Sequence, residues 1–258
     1  MPDRDSWETT PQLQGLIFDV DGTLANTERD GHRVAFNQAF AEAGLDWNWS
    51  VDFYGELLAV AGGKERLKFY LRQYLPDFKL NQDLNDFVAY LHKLKTKHYL
   101  ALLRKGKIEL RPGTKRIIEE ARNNDITLAI ATTSSLPNVI ALLEKYLDLD
   151  WFAVIAAGDI VSAKKPAPDI YKYVLNKTQI SAQNWLVFED SDNGLAAAIE
   201  TGLTTIVTVN NYTTQQDFSA AKLVVSDLGE PDRPCQVIRG HLNGEYLDIP
   251  SLRKIITS

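Results

Sequence analysis

Cysteine is nearly absent from this chain, since Cys235 is the only one among 258 residues. No intrachain disulfide can form, and a cysteine-rich metal site is excluded. Long apolar runs are also missing, because none approaches the roughly 20 residues that a membrane-spanning helix needs. Residues 1–14 lack the apolar core of a secretory signal, and we expect them to form a flexible leader. These absences are compatible with the reducing cytoplasm, where we expect the protein to act without a membrane partner.

The chain also lacks an excess of basic residues. Its 28 lysines and arginines are outnumbered by 34 aspartates and glutamates, which gives a formal net charge of −6. This balance argues against a nucleic-acid partner bound by bulk electrostatics. It leaves small anionic substrates open, because a few lysines can focus a positive potential within an acidic protein.

The most informative stretch is residues 16–24, Leu-Ile-Phe-Asp-Val-Asp-Gly-Thr-Leu. Its apolar run predicts a buried strand that delivers Asp19 and Asp21 to its exposed end, where Gly22 and Thr23 turn the chain away. Residues two apart on a strand lie on the same side. The two carboxylates can therefore reach one small volume.

The spacing of apolar residues divides the rest of the chain into two kinds of segment. Helices are predicted over residues 27–43, 64–75 and 83–103, with no strand between them. From residue 112 onward, helices alternate with strands predicted over residues 127–132, 152–156, 185–189, 205–209 and 223–225. This alternation indicates βαβ units and a parallel sheet. No pattern assigns residues 229–258.

Further polar residues follow the ends of these predicted strands. Thr132, Thr133 and Ser134 follow one strand, and Glu189 and Asp190 follow another. Lys165 precedes Pro166 in the loop before a helix. In an open parallel sheet the carboxyl ends of the strands share one edge, where ligands bind. We expect all these groups to meet there.

In this order, Asp19-x-Asp21, Thr132, Lys165 and Glu189-Asp190 resemble the four motifs of the haloacid dehalogenase-like (HAD) phosphatase superfamily. The resemblance implies an α/β fold, with a HAD-like Rossmannoid parallel-sheet core formed by residues 15–26 and 104–258. It also implies that residues 27–103 form an inserted α-helical cap of the C1 type.

The same resemblance implies roles for the motif residues. Asp19 would attack phosphorus, and Asp21 would act first as general acid and then as general base. Thr132 and Lys165 would hold phosphoryl oxygens. Mg²⁺ would be bound by Asp19, the Asp21 backbone carbonyl and Asp190, with Glu189 nearby.

Phosphoryl transfer needs groups of these kinds, because the protein must position the reactants and neutralise spreading negative charge. A carboxylate cannot approach an anionic phosphate unless a cation screens both, and Mg²⁺ prefers oxygen ligands. Asp21 argues against a dehalogenase, since expelling halide needs no general acid and the dehalogenases of the superfamily lack this second aspartate.

The predicted cap carries the stretch Ala-Gly-Gly-Lys-Glu-Arg at residues 61–66, and two glycines before basic residues and a helix can bind an anion. With residues 27–33 and 132–139, this stretch resembles the CbbY family, whose members dephosphorylate xylulose-1,5-bisphosphate, an inhibitor of Rubisco. A bisphosphate needs two anion sites, and we assign the distal one to Lys64, helped by Arg66. Glu28, Thr133 and Ser134 are candidates for the sugar hydroxyls, with His32 as a further one.

Other interpretations stay open from the sequence. Lys64 and Arg66 also fit an exposed helix face, and Arg111 also fits a support for the chain's return from the cap. A β-phosphoglucomutase or a broad-range sugar-phosphate phosphatase fits the same motifs, and a non-catalytic sensor of phosphometabolites is a third alternative. We expect a monomer whose partner is a small sugar phosphate.

Overall fold

A computed structural model of the protein describes residues 10–258. Seven strands form one sheet in the order β3-β2-β1-β4-β5-β6-β7. They are β1 (Gly15–Phe18), β2 (Thr127–Thr132), β3 (Phe152–Ala157), β4 (Trp185–Glu189), β5 (Thr204–Thr208), β6 (Leu223–Val225) and β7 (Val237–Arg239). Strands β1 to β6 are parallel, and β7 pairs antiparallel with β6 at the edge. The predicted α/β fold with a parallel sheet is confirmed.

Helices cover both faces of the sheet, which is why the central strands are apolar throughout. The helices that follow β1 and its insertion are α5 (Thr114–Asn123), α6 (Leu136–Tyr146), α7 (Asp169–Thr178), α8 (Asp192–Ile199) and α9 (Ile249–Thr257). Alternate residues of β1 enter different cores: Leu16 and Phe18 pack on one side of the sheet, and Ile17 packs on the other. The strand is therefore fixed in register from both faces.

Between β1 and β2 the chain is helical. One turn of π-helix (Glu28–His32) leads into α1 (Arg33–Glu42), which is followed by α2 (Val51–Leu57), α3 (Gly63–Tyr74) and α4 (Leu84–Arg104). The sequence predicted one continuous helix over residues 27–43 and did not predict α2. Helix α2 begins at Ser50, whose hydroxyl accepts a hydrogen bond from the Phe53 amide.

These helices share an aromatic core of their own, built around residues such as Phe36, Phe40, Trp47, Trp49 and Tyr54. Trp49 and Tyr54 are completely buried. Edge-to-face contacts join Phe40 to both tryptophans. The aromatic residues of this segment therefore pack against each other.

Residues 229–258, which the sequence left unassigned, provide the edge strand β7 and helix α9. Asp248 caps α9 by accepting a hydrogen bond from the Ser251 amide, and Ser251 reciprocates at the Asp248 amide. The apolar face of α9 joins the main core through Ile249, Leu252 and Ile255. The end of the chain thus completes one face of the sheet.

Most of the predicted leader, residues 1–9, lies outside the described residues. At its end, the Gln12 amide donates to the side chain of Asn184 and the Gln14 amide donates to the Asn184 carbonyl. Residues 12–14 are therefore attached to the residue that precedes β4, the strand next to β1. Within residues 10–258, no helix has both the length and the apolar character needed to cross a bilayer.

Candidate active site

The sheet register brings the predicted groups to one edge. Phe18, the last residue of β1, lies opposite Ile130 of β2 and Phe188 of β4. Asp19 follows Phe18, Thr132 ends β2, and Glu189 ends β4. Asp19 and Glu189 lie at the same level of the sheet, Thr132 lies one residue further along its strand, and all three residues are buried.

Lys165 connects these strand ends through its buried ammonium group. Its Nζ atom lies 2.7 Å from Asp19 Oδ1, 2.5 Å from Glu189 Oε1 and 2.8 Å from the Ala131 carbonyl oxygen. Each of the three N–H groups of the ammonium therefore has one oxygen acceptor. The neighbouring Lys164 does not reach this cluster, because its ammonium donates to the Gly158 carbonyl oxygen and to Asp159.

Two residues that the sequence analysis did not select hold the acidic groups in place. The Tyr171 hydroxyl donates to Glu189 Oε1 at 2.6 Å, and the Asn210 amide donates to Asp190 Oδ2 at 2.6 Å. Tyr171 lies on α7 and Asn210 follows β5, so no local motif links either to its carboxylate. The only sequence signal was their nearness to a predicted strand end or to the lysine loop.

Asp19, Glu189 and Asp190 form a compact acidic cluster, with one oxygen from each within 4.8 Å of the others. Burial raises the pKa of Asp19, and Glu189 and Asp21 raise it further, while Lys165 opposes them. Burial beside Asp19 and Glu189 likewise raises the pKa of Asp190 well above its ordinary value. The single ammonium thus leaves negative charge uncompensated.

This donor set fits a hard divalent cation. Buried carboxylates in excess of nearby positive charge are the ligands that Mg²⁺ prefers. Gly22 provides space for them, because a Cβ atom there would lie 2.1 Å from Asp190 Oδ2, and its φ of +91° suits glycine alone. The residues present therefore fit the magnesium site that the sequence predicted around Asp19, Glu189 and Asp190.

The sequence predicted that Asp21 binds the metal through its backbone carbonyl. Its side chain contacts Thr27 and His32. The carboxylate accepts a hydrogen bond from the Thr27 hydroxyl, and its Oδ1 lies 2.7 Å from His32 Nε2. Burial would raise the pKa of Asp21, but His32 and Thr27 outweigh it and hold that pKa well below its usual range. The free protein thus keeps Asp21 ionised.

His32 is one of the predicted sugar contacts, and the structure gives it a different neighbour. Its ring lies between Asp21 and Tyr99, whose ring centroid is 4.4 Å away. The π-helical turn at Glu28–His32 brings this histidine beneath α4. The helical periodicity of the sequence could not reveal that turn.

The loop that carries these aspartates is supported by Arg111, which follows α4. The guanidinium donates to the carbonyl oxygens of Gly22, Thr208, Val209 and Ser226. It therefore joins the first loop to the ends of β5 and β6. This is the supporting role that the sequence analysis offered for Arg111.

Two adjoining cavities open onto these residues. The smaller, about 90 Å³, is lined by residues that include Asp19, Asp21, Thr132, Lys165 and Asp190. The larger, about 460 Å³, is lined by residues that include Asp21, Lys64, Lys95, Ser134 and Lys164. Both are also lined by Glu28, Arg66 and Thr133. Every residue predicted for substrate binding thus lines one or both cavities.

Within these cavities the predicted cap residues have partners already. Tyr54 donates its hydroxyl hydrogen to Glu28 Oε2 at 2.5 Å, and Arg66 donates to the Tyr54 oxygen at 2.8 Å. Arg66 is buried and also donates to the Leu57 carbonyl. The exposed-face alternative is therefore wrong for Arg66, and its position is set by contacts among the inserted helices.

Lys95, on α4, is a buried cation that the sequence analysis missed. Its ammonium lies 5.3 Å from the ring centroids of both Phe36 and Tyr99. Burial lowers the pKa of Lys95 to about 8, although Asp21 and Glu28 favour its charge. A lysine within a helix is usually exposed to solvent, so the sequence contained no sign that Lys95 is buried. Only the packing of α4 against the neighbouring helices shows it.

Comparison with known proteins agrees with this arrangement. The haloacid dehalogenase-like hydrolase family matches residues 16–208. The plasmid-encoded CbbY protein of Cupriavidus necator is 45% identical over 245 residues, which are 93% of this chain and 96% of that protein. The chain belongs to the CbbY branch of the haloacid dehalogenase-like hydrolases.

Solved structures of related proteins match the fold of this chain as well. A mutant CbbY from Rhodobacter sphaeroides, in complex with xylulose-(1,5)bisphosphate, is 42% identical with a TM-score of 0.77, over 83% of this chain and 94% of that one. A β-phosphoglucomutase from Clostridium difficile, 21% identical over 83% of this chain and 90% of that one, shares the fold with a TM-score of 0.67. The protein is a HAD-type phosphatase.

Proposed function

We propose that this phosphatase hydrolyses sugar bisphosphates in the presence of Mg²⁺, with xylulose-1,5-bisphosphate as the preferred substrate. The observation that carries the proposal is the pair of adjoining cavities, each with its own cationic groups. Lys165 lines the small cavity beside Asp19, and Lys64 and Lys164 line the large one. The CbbY structure that contains this bisphosphate supports the choice of substrate.

Asp19 is the nucleophile in this proposal. Its carboxylate would attack phosphorus to form an aspartyl phosphate, which divides the displacement into two easier steps. Lys165 would move from compensating Asp19 to holding the phosphoryl oxygens, with the Thr132 hydroxyl as a second donor. Both groups line the cavity of about 90 Å³, so a phosphoryl group bound there would be within their reach.

Asp21 carries the proton. It would protonate the leaving sugar oxygen and then take a proton from the attacking water. In the free protein His32 and Thr27 favour its carboxylate form. An incoming phosphate is a second anion, and like charges raise a carboxyl pKa. We therefore infer that substrate binding itself produces the acid form.

Mg²⁺ would be held by Asp19 and Asp190 with the Asp21 backbone carbonyl, with Glu189 nearby, and would supply positive charge to the phosphoryl oxygens. The acidic cluster supports this assignment. Lys165 alone cannot neutralise three carboxylates and a phosphate.

Residues 27–103 act as the cap in this proposal, and their closure would exclude water from the phosphoryl group. Lys64 would hold the distal phosphate. Arg66 would help Lys64, and Glu28, Thr133 and Ser134 would contact the sugar between the two phosphates. Glu28 and Thr133 line both cavities, and Ser134 lines the larger one.

The test compares phosphate release from xylulose-1,5-bisphosphate, ribulose-1,5-bisphosphate and β-glucose-1-phosphate, with Mg²⁺ and with EDTA. We expect the highest kcat/KM for xylulose-1,5-bisphosphate and loss of turnover in EDTA. Asp19→Asn should reduce kcat by roughly a thousandfold or more while binding persists. Preference for the hexose monophosphate would favour a broad-range enzyme, and conversion to glucose-6-phosphate would favour the mutase.

The distal site is tested by Lys64→Ala, with Lys79→Ala as the control because Lys79 is an exposed lysine outside both cavities. Lys64→Ala should raise KM for the bisphosphate by roughly tenfold, the loss of one charge-assisted contact. KM for p-nitrophenyl phosphate should change little. Equal effects on both substrates would remove the distal role of Lys64.

A further inference from the structure

In this structure the carboxylate of Asp159 forms ion pairs with Lys64 and Lys164, the two lysines at the proposed distal phosphate site. Asp159, which follows β3, contacts Lys64 Nζ through Oδ2 at 2.6 Å and Lys164 Nζ through Oδ1 at 2.8 Å. Lys64 belongs to α3 within the inserted helices, whereas Asp159 and Lys164 belong to the α/β core. The two oxygens of one anion thus link the two parts of the molecule.

The two halves of this bridge differ in how firmly they are held. The Lys164 side chain is 14% exposed and also donates to the Gly158 carbonyl oxygen at 2.8 Å. The Lys64 side chain is 40% exposed, and that of Asp159 is 61% exposed. Asp159 can therefore turn into solvent without burying its charge, and the contact between Lys64 and Asp159 is the one free to break.

We propose that Asp159 exchanges with the second phosphate of the substrate on these two lysines and so limits how tightly bisphosphates and their products bind. This inference rests on the proposed function. A distal phosphate offers Lys64 and Lys164 more charge than a carboxylate does, and it cannot share them with Asp159, because the two anions repel. A monophosphate has no second phosphate to displace Asp159, so the ion pairs of Asp159 with Lys64 and Lys164 remain.

Exchange also serves product release. The product of bisphosphate hydrolysis keeps its distal phosphate, which would remain on the lysines. Asp159 competes for the same two ammonium groups and returns to them as the product leaves. The pKa of Asp159, lowered to about 2 by its hydrogen bonds to Lys164 and Lys64, keeps this competitor ionised throughout the physiological range.

Asp159→Asn tests the exchange, because asparagine keeps the shape and removes the charge. Its control is Asp77→Asn, which removes the same charge from an exposed position outside the cavities. At low ionic strength we expect KM for xylulose-1,5-bisphosphate to fall roughly two- to fivefold, the span of an exposed ion pair. The inhibition constant of the sugar monophosphate product should fall by the same factor, and KM for p-nitrophenyl phosphate should stay unchanged.

A rise in KM for the bisphosphate in Asp159→Asn would overturn the proposal, because Asp159 would then orient the lysines in the complex instead of leaving them. An unchanged KM would overturn it as well.

Repeating the substitution in a Lys64→Ala background completes a double-mutant cycle. We expect Asp159→Asn to change KM for the bisphosphate much less in that background, because Lys64, the partner that Asp159 would release, is no longer present. The same reduction in KM in both backgrounds would show a general field effect and would contradict exchange.

The two proposals fail separately. If the unmodified protein hydrolyses the bisphosphate no better than p-nitrophenyl phosphate, the proposed function is wrong. If it prefers the bisphosphate and Asp159→Asn does not strengthen its binding, only the exchange is wrong.

Discussion

Lys95 shows at the residue scale how the site keeps positive charge available. Its ammonium is buried beside the rings of Phe36 and Tyr99 and lines the larger cavity. Burial disfavours a charged amine, and the pKa of Lys95 is lowered to about 8. An anionic substrate beside Lys95 would raise this pKa again and so favour the charged form.

This environment predicts a stability that depends on pH. Lys95→Met should be more stable than the wild type at pH 7 by roughly 2 kcal/mol, because a pKa lowered by that much corresponds to about 3 kcal/mol before the lost cation–π contacts are subtracted. Between about pH 8 and 10.5 the unfolded chain keeps the proton that the folded protein has lost. Wild-type stability therefore rises with pH over this window, and the gap closes.

Urea denaturation at pH 7 and pH 10 measures this difference. Lys93→Met is the control, because Lys93 is exposed on the same helix. A gap that stays constant across these pH values would show that packing, and not the charge of Lys95, separates the two proteins.

The residues proposed for catalysis and metal binding could be selected from the sequence as an ordered set. Asp19, Asp21, Lys165 and Glu189 each sit in a short motif beside an apolar strand, so local sequence identifies them. Tyr171 and Asn210 were not predictable, because each reaches its carboxylate from a distant segment. Their partners are set by the tertiary structure alone.

At the scale of elements, α9 was the largest omission from the sequence analysis. The helix is only nine residues long, so the spacing of its few apolar residues was too weak a pattern to predict it. In the structure Ile249, Leu252 and Ile256 join the main core. Burying a side chain of this size contributes about 1.5–3 kcal/mol, so we expect the packing of α9 to contribute measurably to the stability of the fold.

Leu252→Ala tests the contribution of α9. Leu252 is completely buried, and truncating such a leucine costs about 2–5 kcal/mol. We expect Tm to fall by roughly 5–15 °C, given about 2–4 °C per kcal/mol for a chain of this size. Lys254→Ala, on the exposed side of α9, should leave Tm within a degree or two. A similar Tm for both variants would show that α9 is not part of the cooperative core.

At the scale of the whole molecule, several cationic side chains gather beside the acidic cluster. The chain carries a net charge of −6, yet its larger cavity is lined by Lys64, Lys93, Lys95, Lys164 and Arg66. The acidic cluster at the sheet edge lies next to these cations. The protein can therefore offer one region to a metal ion and the neighbouring region to phosphate.

Metal binding should stabilise the folded protein as a whole. Mg²⁺ at about a hundred times its Kd would add about 2.7 kcal/mol, which corresponds to roughly 5–10 °C in Tm. Differential scanning calorimetry with Mg²⁺ and with EDTA measures the shift without any turnover. Asp190→Asn should lose most of the shift, and Asp77→Asn should keep it. An equal shift in Asp190→Asn would place the ion elsewhere.

The sequence by itself determined the class of fold, most strand boundaries and the motif residues, because strand apolarity and turn residues act over a few positions. Strand β2 (Thr127–Thr132) and strand β4 (Trp185–Glu189) were predicted to the residue. Only the tertiary structure decided the contacts of Asp21 with His32, of Lys165 with Glu189 and of Asp159 with Lys64. These pairs are 11 to 95 residues apart, and which charges meet depends on how the elements pack.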